Sequence, residues 1–316
     1  MRFRTLGVII LICLSLFVAA CTGPQKKPQG KDSQEEIKQK EPVISLYIAE
    51  TGEKKDIALE EYLPGVLAAE MDVDWPLEAL AAQAILARTF TLEKIEEGGV
   101  EKRGTDASTA VEEFQAYNSE KINAQVKKAV EMTRGEVVKY NGQLIKAWFH
   151  ADGGGKTAAS AKEGLGYTQE PTPYIKSVDD PGFAVTTEEN KQWRATFPLA
   201  DVKRAVTNVT GAAPADISTV KISEKGPSGR ATEITFGDTA VSAPALRLAL
   251  GSDKMRSALL TGISIQGDSL VMEGKGYGHG VGMSQWGARA LAEKGKKAED
   301  IVKYFFKGVN ITQIYK

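Results

Sequence analysis

Two charged side chains set into apolar helical faces limit what this chain can fold into. Over Leu59 to Met71, a rotation of about 100° per residue gathers Tyr62, Leu63, Val66 and Leu67 on one stripe, with Glu70 near its middle. Pro64 and Gly65 sit badly inside a helix, so either the helix proper starts near Pro64 or its first turn is irregular. A second helix is expected from Pro76 to about Glu96, stopped by Gly98 and Gly99. Its stripe is Leu77, Leu80, Ala81, Ala84, Ile85 and Leu92, and Arg88 lies near the centre. The short link from Asp72 to Trp75 makes the helices antiparallel neighbours, so Glu70 and Arg88 could meet. Two readings follow. A buried Glu–Arg pair would fix the packing and lower the carboxyl pKa. A carboxyl desolvated without a cation would keep its proton towards neutral pH, as general-acid cleavage of a glycosidic bond requires. Arg88 would then anchor a loop carbonyl or a substrate oxygen.

The N-terminal residues predict export. Arg2 and Arg4 precede an apolar run from Leu6 to Phe17, followed by small residues and Cys21. This pattern reads as a secretory signal, and the run is short for a bilayer-spanning helix. Val18-Ala19-Ala20-Cys21 resembles a bacterial lipobox, which implies cleavage before Cys21 and lipid on its sulfur. Residues 1–21 are thus read as signal and lipid-attachment site, placing the protein on the outer face of the cell membrane. The only other cysteine, Cys13, leaves with the signal, so the mature chain has no thiol for a disulfide or a zinc site and depends on its core. Residues 22–41 are polar and read as a flexible tether. The formal net charge is −1, without a dominant basic block in the folded part, which argues against nucleic acid as a partner.

From Pro42 onwards the expectation is an α+β domain over 42–316, with mixed helices and hairpins around one large core and a smaller α+β insert at about 193–262 forming a second lobe. Val43 to Ile48 reads as a strand and Gly52 as a turn. Asn141-Gly142 predicts a hairpin between strands at 135–140 and 143–148, and Ala151 to Lys156 is a glycine-rich loop. Inside the insert, the pattern predicts a helix at 199–206, a hairpin around 226–229 and a helix at 245–250. A strand near 269–273, a second glycine-rich loop and a helix at 284–294 complete the reading.

Two long motifs carry a family resemblance. Glu60 to Met71 followed by Trp75 to Thr89, and the closing Gly276-Tyr277-Gly278-His279-Gly280-Val281-Gly282-Met283-Ser284-Gln285-Trp286-Gly287-Ala288, resemble the signatures of the SpoIID/LytB family. Trp148-Phe149-His150-Ala151-Asp152-Gly153-Gly154 and Pro173 to Val178 fit as well. The resemblance implies a lytic transglycosylase acting on peptidoglycan glycan strands in cell-wall remodelling and sporulation, with products ending in 1,6-anhydro-muramic sugar and Glu70 as the acid/base. It equally admits a non-catalytic, glycan-binding enhancer of an N-acetylmuramoyl-L-alanine amidase, which would make a wall amidase a partner.

His279, Ser284 and Gln285 are candidate hydrogen-bonding contacts to a sugar, with Arg88 and His150 as further substrate contacts. The alternative is that the glycines only let the closing loop turn and that Ser284 caps the next helix. Some family members bind zinc through cysteines and a histidine after the second helix. Here 105–117 contains neither, so no zinc or other cofactor is expected, although residue type alone would permit a metal at His150, Asp152 and His279.

Overall fold

The computed structural model describes residues 40–316; the signal, Cys21 and most of the tether lie outside them. Glu41 already accepts a hydrogen bond from the Glu60 N–H at 3.0 Å and pairs with Arg134, so the chain is anchored one residue before Pro42.

Strand β1 (Val43–Tyr47) pairs antiparallel with β2 (Lys54–Ala58). Helix α1 (Leu59–Glu70) follows without a break, and Pro64 lies inside it. Proline removes one N–H from the helix ladder, yet α1 starts five residues earlier. Tertiary contacts hold that first turn: Leu59, Tyr62 and Leu63 are buried, and Glu41 supplies the cap that Ala58 lacks. Helix α2 (Leu77–Glu96) is more enclosed than its stripe suggested. Ala79 to Thr89 are all buried, because α2 is packed by α1, by β4 (Glu136–Tyr140) and by three helices introduced below. Its many alanines allow that close approach.

Strand β3 (Ala107–Ser108) runs parallel to β1, and α3 (Ala124–Met132) packs on α1 and α2. Asn141 and Gly142 have φ of 50° and 85°, as the expected two-residue turn requires. Its second strand, β5 (Gln143–Leu144), stops after two residues instead of running to 148. Lys146 leaves the sheet to reach Glu93 of α2 and Glu97 at its C-terminal cap, and β6 (Phe149–His150) joins a different pair. Short helices α4 (Ala161–Leu165) and α5 (Glu188–Lys191) lead to the second lobe.

The lobe contains β7 (Trp193–Pro198), α6 (Leu199–Thr210), β8 (Val220–Lys225), β9 (Ala231–Phe236), β10 (Thr239–Ser242), α7 (Ala243–Leu250), β11 (Leu260–Gln266) and β12 (Ser269–Gly274). It has its own apolar core and runs to 274, twelve residues beyond the expected limit, because β12 pairs with β7 and places Gly274 opposite Trp193. The lobe therefore enters and leaves through adjacent strands. The chain then closes the main lobe with β13 (Met283–Ser284), parallel to β6, helices α8 (Gln285–Glu293) and α9 (Ala298–Phe305), and β14 (Asn310–Gln313), which pairs with β4.

Of the two arrangements open to Glu70 and Arg88, the structure shows the one in which they do not meet. Arg88 lies eleven residues into α2, about 16 Å along its axis, and in an antiparallel pair this brings it beside the start of α1. Arg88 is fully buried and grips Glu60 with two parallel bonds, Nε to Oε1 and Nη2 to Oε2, both 2.8 Å. Nη1 donates to the Glu136 carbonyl at 3.0 Å. Tyr315 donates to the same carboxylate at 2.6 Å. Burial alone would push the Glu60 carboxyl up, but the hydrogen bonds and charge of Arg88 hold it below its ordinary value.

Glu60→Gln would leave this guanidinium buried beside a neutral amide. Urea unfolding at pH 7 should show a loss of about 3 kcal/mol. The lowered folded-state pKa means the wild-type advantage is present above the ordinary carboxylate range and fades as pH falls through the folded value. A loss under about 1 kcal/mol would show that the pair orients the helices without stabilising them.

Candidate active site

Glu70 is the last residue of α1, where the helix ends against a loop instead of another helix turn. Its Oε1 accepts the Ala116 N–H at 3.1 Å. That loop is pinned on both sides of Ala116. Gln115 donates to the Thr91 hydroxyl at 2.9 Å, and Tyr117 stacks on Tyr62 with ring centroids 5.6 Å apart. Tyr117 lies directly across α1 at Gly65: a Cβ there would stand 2.2 Å from the Tyr117 ring. Gly65, awkward for a helix by propensity, is the residue that admits this ring.

On its other side Glu70 meets the head of α8. Ser284 caps that helix, accepting the Gly287 N–H at 3.0 Å, and so fixes the first residue, Gln285. Gln285 is only 6% exposed; its amide approaches Glu70 and favours the carboxylate, yet Nε2 completes no hydrogen bond of ordinary geometry. The next residue, Trp286, packs on Trp75, five residues after Glu70, with centroids 4.7 Å apart. The Arg289 guanidinium lies over both indoles, at 5.0 and 5.4 Å. Burial pushes the Glu70 carboxyl above its ordinary value, against the Ala116 bond and the approach of the Gln285 amide. A carboxyl so placed can hold a proton, donate it and take it back.

Tyr117 also lines two surface depressions of about 500 and 530 Å³. Lys55, Glu61, Pro64 and Arg134 contribute to the first, and Glu50, Thr51, Asn118 and Glu120 to the second.

The other candidates sit differently. Arg88 is engaged by Glu60 and backbone carbonyls, away from Glu70. His150 is buried with Nδ1 3.1 Å from the Val281 carbonyl, and its Nε2 is enclosed without a partner. Burial, then the neighbouring His279, drives its pKa well below the ordinary imidazole value. Ser284 is fully buried and occupied as a cap. His279, half-buried, accepts the Val281 N–H on Nδ1 at 3.0 Å; dense packing, then Arg247, lowers it to about 3. Arg88, His150 Nδ1 and the Ser284 hydroxyl thus each have a partner within the protein. Among the described residues no group of three or more His, Cys, Asp or Glu side chains could hold a metal ion.

A second polar cluster was not foreseen. Arg230, from the inserted lobe, reaches the glycine-rich loop of the main lobe, donating to the Gly153 carbonyl at 2.7 Å and to the Lys156 carbonyl at 2.8 Å. Gly280 makes room for it: a Cβ there would lie 2.4 Å from the guanidinium. Asp152 and Asp180 lie close by. Burial, with Asp180 second, pushes Asp152 up to about 6. This cluster fastens the lobe to the two glycine-rich loops. Nothing local in the sequence marks Arg230, whereas Glu60 was accessible from an axial count along α2.

The comparisons with known proteins agree with this frame. A family model described as Stage II sporulation protein matches residues 47–140, and one described as a domain of unknown function matches 167–282. The chain is 34% identical over 257 residues to an uncharacterized protein of Brachyspira hyodysenteriae, covering 81% of this chain and 67% of that one. It is 30% identical over 318 residues to stage II sporulation protein D of Bacillus subtilis, covering 92% and 85%. It is 31% identical over 296 residues to the amidase enhancer of Bacillus subtilis, covering 79% of this chain and 40% of that protein. With its two motifs meeting at Glu70 and a relative matched over most of both lengths, the chain belongs to the SpoIID/LytB family.

Proposed function

We propose that this protein is an exported peptidoglycan lytic transglycosylase, lipid-anchored through Cys21 to the outer face of the membrane, serving cell-wall remodelling and sporulation. The observation that carries the reading is the state of Glu70: a sheltered carboxyl at a helix end, bonded by one N–H and approached by one neutral amide, with the guanidinium of Arg88 committed to Glu60 at the other end of α1. Protonated Glu70 would give its proton to the oxygen between two sugars as the C1–O bond breaks. The C6 hydroxyl of the muramic sugar then attacks C1, and the Glu70 carboxylate takes the hydroxyl proton. A 1,6-anhydro ring and a free sugar hydroxyl result, without water. One carboxyl suffices because the nucleophile belongs to the substrate and positioning replaces a second catalytic group. The glycan strand would pass along the depressions beside Tyr117.

A second reading is favoured by the relative named amidase enhancer: a glycan-binding protein that activates a wall amidase without cutting glycan. Incubating the domain with peptidoglycan and with peptide-free glycan separates the two. Mass spectrometry should find anhydro-muramic ends, and Glu70→Gln should lower their rate of formation on the order of a thousandfold. Inert wild type and mutant proteins that bind glycan and stimulate an amidase equally would establish the enhancer reading.

Two pH effects follow from the raised carboxyl. Cleavage should decline as pH rises through the Glu70 pKa, since the leaving oxygen needs the protonated acid. Stability runs the same way: a raised folded-state pKa stabilises the fold at acid pH, and this contribution is lost as pH rises through the folded value. Glu70→Gln should therefore raise the melting temperature at neutral pH, with the gain shrinking in acid. An unchanged or lowered melting temperature at neutral pH would contradict a desolvated carboxyl.

A further inference from the structure

Gln285 Nε2 is among the buried side-chain atoms that complete no hydrogen bond, and the amide stands at the carboxyl on which the proposed chemistry depends. We infer that Gln285 is a positioning residue for Glu70, one that orients the carboxyl by donating Nε2–H to its charged form and accepting on Oε1 from its protonated form, and that it does not contact the sugar. The inference rests on the reading of Glu70 as acid/base.

The geometry that supports it is independent of titration. Ser284 is tied into the parallel β6–β13 pair, with Ser284 opposite His150, and its hydroxyl caps α8. The backbone of Gln285 is therefore fixed. The Trp75–Trp286 contact brings the start of α8 against the turn that leaves α1, where the Gln285 head group approaches the Glu70 carboxyl. At 6% exposure it has almost no solvent to bond to, and a buried amide N–H without a partner is costly unless another state uses it. Hydrogen bonds at an acid/base site are commonly loose before substrate binds and tighten afterwards.

The residue type also fits. A lysine or arginine here would hold Glu70 ionised and end its use as an acid. A hydrocarbon would leave the carboxylate formed in the first step with the Ala116 N–H as its one donor. A neutral amide can donate or accept by turning about its last bond, so it serves both protonation states while biasing neither strongly.

Gln285→Met keeps the length and removes the amide. The test is carbon-13 NMR titration of the Glu70 side-chain carboxyl, identified by its loss in Glu70→Gln, together with glycan-cleavage kinetics. The melting temperature should stay close to wild type, since Nε2 completes no hydrogen bond of ordinary geometry before substrate binds. The Glu70 midpoint should move to higher pH by about half a pH unit or more. kcat should fall about tenfold with KM unchanged. If Met is not accommodated, Gln285→Asn, whose amide is one carbon short of the carboxyl, should shift the midpoint in the same direction. An unmoved midpoint in a folded variant, or a raised KM with unchanged kcat, would overturn the inference and make Gln285 a sugar contact. If no variant and no wild-type protein cleaves glycan, the transglycosylase reading falls, and the titration still decides whether Gln285 governs Glu70.

Discussion

The bidentate pair between Glu60 and Arg88 is the contact on which the rest of the arrangement depends. A fully buried guanidinium must find its counter-charge close by, and the one it finds sits in the first turn of α1. This choice sets the axial register of α1 on α2 and draws Tyr315 near the C-terminus onto the same carboxylate. It also has a chemical consequence. With Arg88 compensated one helix length away, the carboxyl at the other end of α1 is not held by that guanidinium and is raised by burial.

The site at Glu70 is assembled from segments far apart in sequence. The end of α1 presents the carboxyl, the 115–117 loop gives it a backbone N–H, and the head of α8 brings Gln285 and Trp286. Each is held from behind by contacts that are not themselves chemical: Gln115 on Thr91, Tyr117 across Gly65, Ser284 capping α8. The inserted lobe is fastened to the same frame through Arg230, which bonds the loop following β6 while β13 carries Ser284. The site is thus held by hydrogen bonds, ring stacking and a helix cap drawn from four separate segments.

Much of this was legible in the sequence, and the rest was not, for identifiable reasons. The helical period placed Glu70 and Arg88 on buried faces because period depends only on local geometry. It did not assign their partners, since angular position says nothing about height along the axis; counting residues from the turn would have put Arg88 beside Glu60. Pro64 misled in the direction that propensity always misleads, because capping by Glu41 and burial of three side chains outweigh one missing hydrogen bond. The 226–229 hairpin and the Asn141-Gly142 turn were readable from glycine chemistry, but β5 ended early because Lys146 has two carboxylates to reach on α2 and its C-terminal cap. The lobe boundary failed because strand pairing is non-local: β12 looks like a separate strand in sequence and is the partner of β7 in space. His150 and Ser284 look like ligand contacts in a glycine-rich motif, and only three dimensions show that their polar atoms face inward.

The central claim is that Glu70 keeps its proton to higher pH than an ordinary glutamate because the fold shelters it and gives Arg88 to Glu60. Carbon-13 NMR titration of the Glu70 carboxyl in the wild-type protein, without any substrate, tests this most directly. A midpoint above the ordinary value of about 4.3 is the predicted result; a midpoint at or below it, with Glu70 ionised in mild acid, would contradict the account.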